Sequence, residues 1–159
     1  MSLLLLLAAA ASPIPSHLTT PWLEFSREPA NASARTEIEL GTIGFDPRRK
    51  QLELWARRTV RDRSGEHVAW ADSRTCPEMR AILARLRNVP VPRFAPLGVS
   101  AGPQLTVDGI GYSIRTYSDE GFLEAETNIG TPLAGWIEQS LDRLEGCWGS
   151  GVPPRIETQ

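Results

Sequence analysis

At 159 residues with a formal net charge of −2, the chain has the size of one domain and no global field that would draw it to nucleic acid or to an anionic membrane. Its 41% hydrophobic and 23% charged residues are ordinary for a globular protein and supply a single core, which excludes a large scaffold with a separate cofactor domain. No GxGxxG or P-loop pattern occurs, so no nucleotide cofactor is expected.

Leu3 to Ala11 is an unbroken apolar run. It is too short to span a bilayer, which takes ~20 residues, and Ala9-Ala10-Ala11 fits the small-residue pattern of a secretory cleavage site. Residues 1–11 therefore read as a signal peptide. The mature chain reads as exported, periplasmic or extracellular, with no transmembrane segment. Residues 12–34 are rich in Pro, Ser, Ala and Asn and read as an extended arm that docks through Trp22 without entering the core. Asn31-Ala32-Ser33 has the form of a glycosylation sequon. Residues 35–159 read as a single α+β domain.

From Thr36 to Phe45, apolar residues alternate with a one-residue slip at Gly41-Thr42, the signature of a strand with a bulge. Asp46-Pro47 opens a turn. Leu52, Leu54, Ala56 and Val60 then share one strand face, and Glu53, Trp55, Arg57, Thr59 and Arg61 the other. A turn at 62–65 leads to a short strand, His67 to Ala71. Thr75 and Glu78 have capping-box spacing. The helix after them carries Cys76, Met79, Ile82, Leu83 and Leu86 on one face, with Arg80, Arg85 and Arg87 pointing away.

Leu105 and Val107 lead into Asp108-Gly109, a hairpin signal. Tyr112 to Thr116 and Phe122 to Thr127 read as further strands. Thr131-Pro132 opens a second helix with Leu133, Trp136, Ile137, Leu141 and Leu144 on one face, and Gly146 is placed to end it. The pattern predicts an α+β fold: an antiparallel sheet built from two strand-strand-strand-helix units, both helices on one face. Cys76 begins the first helix and Cys147 follows the second. Antiparallel neighbouring helices bring these ends together, so one disulfide is expected, consistent with export.

No complete catalytic set emerges. Gly98-Val99-Ser100-Ala101-Gly102 matches the G-x-S-x-G form of a nucleophile elbow, but Pro96 and Pro103 bracket it and a strand follows where that motif needs a helix. His17 and His67 are the only histidines, so a general base would have to be His67, and no metal site is expected. Glu124 and Glu126 share a strand face, a spacing that suits glycoside hydrolysis or, more commonly, a solvated surface. Trp55, Arg57 and Arg61, with Arg48 and Arg49 in the preceding turn, form an aromatic–arginine strip suited to a protein or glycan partner if the arm leaves Trp55 open. The expected function is a non-enzymatic binding or accessory protein of the cell envelope or secreted fraction. The alternative is a small hydrolase using Ser100 or the Glu124/Glu126 pair.

Overall fold

The computed structural model describes residues 13–30, 34–90, 109–118 and 121–156. Six strands, β1 Leu23–Pro29, β2 Ala34–Asp46, β3 Gln51–Asp62, β4 Gly65–Asp72, β5 Ile110–Ser118 and β6 Gly121–Asn128, form one antiparallel sheet in the order β4-β3-β2-β1-β5-β6. Helix α1, Glu78–Leu86, follows β4, and helix α2, Pro132–Leu144, follows β6. The apolar run at 3–11, the sequon, Ser100 and the strand expected at Leu105–Val107 lie outside the described residues.

The arm expected over 12–34 is corrected in its second half. Leu23 and Phe25 alternate with Glu24 and Ser26, and this short alternation makes β1 a central strand, paired with β2 on one side and β5 on the other. Its brevity, within a Pro- and Ser-rich stretch, hid it. Pro29 is tolerated because it ends the strand. Residues 13–20 do form an arm, laid over the sheet. The bulge in β2 falls between Thr42 and Gly44, one step beyond the slip read from sequence.

The main core gathers residues of the sheet and of both helices. Leu23, Phe25, Ile38, Leu40, Leu54, Ala56 and Ile114 from the strands meet Met79, Ile82, Leu133, Trp136 and Ile137 from the helices. Burying each large apolar side chain contributes about 1.5–3 kcal/mol. Trp136 sets its edge against Phe25, with ring centroids 5.0 Å apart. Its indole N–H donates to the Ile82 carbonyl at 3.0 Å, so one residue fixes α2 to both the sheet and α1.

Thr131 caps α2 as expected, its hydroxyl accepting from the Ala134 N–H at 3.1 Å, with Pro132 in the first turn. Thr75 does not cap α1. The N–H groups of Thr75 and Cys76 and the Thr75 hydroxyl all donate to the Asp72 carbonyl, which commits Thr75 to the turn leaving β4. Helix α1 starts after Pro77 with no side-chain cap.

Cys76 and Cys147 are bonded, with Cα atoms 5.6 Å apart and a sequence separation of 71. Arg80, expected to point away from the core, reaches back instead. It donates to the Leu52 carbonyl and to Glu53, whose side chain is fully buried. Ser73 and Gln51 also donate to Glu53, at 2.5 and 3.0 Å. Burial pushes the Glu53 carboxyl up, but these hydrogen bonds outweigh it and hold the group below its ordinary value.

Candidate binding face

The sheet face away from the main core has two unlike halves. Over β3 and β4, the arm residues Ile14 and Leu18 and the tail residue Ile156 pack on Ile43, Trp55 and Trp70. His17 ties arm to tail through a 2.9 Å hydrogen bond between Nε2 and the Pro153 carbonyl. Thr19 anchors the arm to β2 by exchanging hydrogen bonds with the Thr42 backbone. Trp55 stands on the face expected for it, but it has no accessible surface. The condition for a stacking platform at Trp55 is thus not met: the arm and Trp70 occupy the space a ligand would need.

The arginines of the expected strip are spoken for as well. Arg57 is buried, donates to Glu39 at 2.5 Å and lies 5.8 Å from the Trp70 ring centre. Arg61 is half-exposed and bridges Glu66 at 2.9 Å and Glu37 at 3.2 Å. Arg48 and Arg49 lie in the β2–β3 turn, their backbone N–H groups donating to Asp46, and the Arg49 guanidinium comes within 3.7 Å of Glu53.

The other half, over β1, β5 and β6, is acidic. The pairing registers place Arg57, Glu39, Glu24, Arg115 and Glu124 side by side, one from each of β3, β2, β1, β5 and β6. The neighbouring row runs Thr59, Glu37, Ser26, Ser113, Glu126. Ser26 and Ser113 share a 2.8 Å hydrogen bond on the floor. A groove of about 200 Å³ lies over them, walled by Glu24, Glu37, Glu124 and Glu126, with Arg35 and Arg115 at its sides. Arg115 spans Glu24 at 3.7 Å and Glu124 at 2.7 Å. Carboxylates still outnumber guanidiniums here. Burial, and then the facing Glu39 carboxylate, raise the Glu24 carboxyl above its ordinary value.

Glu124 and Glu126 are thus joined by Glu24 and Glu37, which composition alone did not single out. The signal for Glu37 was present in the alternation Glu37-Ile38-Glu39-Leu40. Glu24 was obscured with the rest of β1. Only the register across four strands makes the residues neighbours.

His67 stands apart from them. It is exposed on β4, with Nε2 2.9 Å from the Ser64 hydroxyl. Five inter-strand steps separate β4 from β6, roughly 24 Å at ~4.8 Å per step, so His67 does not meet the glutamate pair. Among the described residues, no three His, Cys, Asp or Glu side chains are placed to hold a metal ion, and no helix is long and apolar enough to cross a membrane.

A larger groove of about 330 Å³ runs between the sheet and α2, past Leu141 and Trp148. Both of its arginines are matched internally. Arg27 pairs with Glu138 at 2.8 Å, and Arg58 pairs with Glu145 at 2.7 Å while stacking over the Trp148 ring. The Tyr112 hydroxyl also donates to Glu138. Less unmatched charge is left there for a ligand than on the open face. No protein-family model, curated protein or solved structure matches the chain.

Proposed function

We propose that this chain is an exported, non-enzymatic binding or accessory protein that receives a basic partner on the β1/β5/β6 half of its open sheet face. Both helices are taken to lie on the opposite face, as two strand–helix units would place them, which leaves this face for a partner. The shared core of α1, α2 and the sheet supports that arrangement.

One observation carries the proposal: Glu24, Glu37, Glu124 and Glu126 surround one groove whose arginines do not balance them. A surface of this kind attracts and orients a cationic partner more than it sets raw affinity. Export is supported by the apolar run ending at Ala11 and by the cystine, which suits an oxidising compartment.

The test is crosslinking in the extracytoplasmic fraction of the native host, comparing wild type with a Glu124→Gln, Glu126→Gln double variant. Both side chains are exposed, so the variant keeps its fold. A discrete partner captured by wild type, lost in the variant and weakened by salt supports the proposal. Equal capture by both moves the binding surface elsewhere.

A further inference from the structure

The two borders of the sheet are finished differently. On β4, Trp70 exchanges two 2.8 Å backbone hydrogen bonds with Gly149, so the C-terminal segment covers that edge at this point. On β6, the inner side pairs with β5 along its whole length, and among the described residues no strand runs along the outer side. Natural sheets guard such edges with lysine, proline or a bulge. The sequence of β6, GFLEAETN, has no lysine or proline and pairs without a bulge; Glu124 and Glu126 are its only charges, and they disfavour any partner strand that is not basic.

An apolar end is exposed beside that edge. Phe122 and Leu123 are 69% and 50% accessible, and Phe122 packs on Tyr117 with ring centroids 6.3 Å apart. Next along the strand come Glu124 and Glu126, both on the open face. We infer that β6 is a strand-addition site for an extended segment of a second protein bearing Lys or Arg at alternate positions, with an apolar residue two positions beyond them. Backbone groups of the edge supply the pairing, and the alternating side chains supply the selection. The inference rests on the acidic-face proposal and adds a mode of binding to it.

Charge decides between this occupant and a second copy of the chain. In an antiparallel self-pair centred on Ala125, Glu124 of each copy would stand opposite Glu126 of the other. Like charges directly opposite on one face are destabilising. A basic strand in the same place sets cations against both glutamates and extends the row of Arg115 and Glu124 by one further pair.

The probe is a fluorescein-labelled peptide of roughly ten residues in which lysine alternates with valine and the last lysine of the charged face is replaced by leucine, measured by anisotropy against the full chain. A second peptide has the same sequence and charge with every backbone amide N-methylated. Methylation removes the donors an added strand must offer and leaves the charge in place. The expected result is about tenfold weaker binding of the methylated peptide, and a similar loss in the Glu124→Gln, Glu126→Gln variant. The unmethylated peptide is also expected to slow hydrogen exchange at alternate amides of 121–128. Equal binding of the two peptides would overturn strand addition while leaving the acidic face standing. Capture of a cellular partner by the face, without any binding of the peptide, overturns it too.

Discussion

Gly41 and Trp55 face each other across the β2–β3 pair, and the indole fills the space that a side chain at position 41 would occupy: a Cβ there would lie 2.5 Å from three ring atoms. Trp55 pays for this fit with a buried indole N–H that has no hydrogen-bond partner among the described residues. Gly41→Ala is therefore expected to cost about 1–3 kcal/mol, the range for overpacking a filled interior. Adding Trp55→Phe should recover part of the loss, because it shortens the ring system and removes the orphan donor. Urea midpoints of the two single variants and the double variant measure this coupling, and an unchanged midpoint in Gly41→Ala would refute the close approach.

The buried carboxylate at Glu53 gives a second prediction. Glu53→Ala leaves Ser73, Gln51 and Arg80 without their shared acceptor and should destabilise by about 2–4 kcal/mol. The folded carboxyl titrates below its ordinary value. Its contribution is thus complete above the unfolded carboxylate value and disappears as pH falls through the lowered folded value. Wild type should accordingly outlast Glu53→Gln in urea at neutral pH, with the gap closing in acid. A gap that widens in acid would reverse the sign.

Glu24 should behave in the opposite sense. Its folded carboxyl is raised by burial and by Glu39 directly across the strand pair, so the fold disfavours its ionised form. Glu24→Gln is expected to stabilise at neutral pH by about 0.2–1 kcal/mol, the scale of a cross-strand pair. That gain should shrink as pH drops from the raised folded value toward the unfolded one. If the proposed basic partner binds here, the same substitution weakens its capture, which separates stability from binding in one variant.

The bond between Cys76 and Cys147 closes a long loop, 71 residues in sequence, and removing it should cost roughly 4 kcal/mol in the chain-entropy model. Replacing both cysteines with alanine avoids leaving a hydroxyl at the buried Cys76. Comparing thermal unfolding of that variant with wild type, oxidised and reduced, tests the figure. Reduction should bring wild type to the level of the variant.

Much of the fold was legible because local pattern and tertiary role coincide. The alternation in 52–61 set Leu54 and Ala56 on one face and Trp55 and Arg57 on the other, and the structure has Leu54 and Ala56 in the main core and Trp55 in the separate cluster under the arm. Thr131-Pro132 began a helix because cap chemistry is local. β1 was misread because its alternation covers only Leu23 to Ser26, and what makes it a strand is two partners distant in sequence. Arg80 was misplaced for a related reason: helical spacing tells which way a Cβ points, not how far a guanidinium reaches toward a buried anion. At the candidate site, Glu124 and Glu126 were visible as a pair, but their meeting with Glu24 and Glu37 depends on strand order. The covering of Trp55 depends on where an arm and a tail are laid down, and neither follows from local propensity.

The cystine and the covered point of the β4 border are neighbours in the chain. Gly149, which pairs with Trp70, comes two residues after Cys147. Tethering Cys147 to the start of α1 keeps this segment close to β4, so after each opening it returns from a small volume instead of from the full reach of a loose tail. Oxidation therefore sets how often this stretch of β4 is bared, as well as stability. A reduced chain bares that stretch of β4 more of the time, and unpaired edge groups are a template for strand pairing with other chains. Once the sulfurs are joined, the cover over Trp70 is held in place.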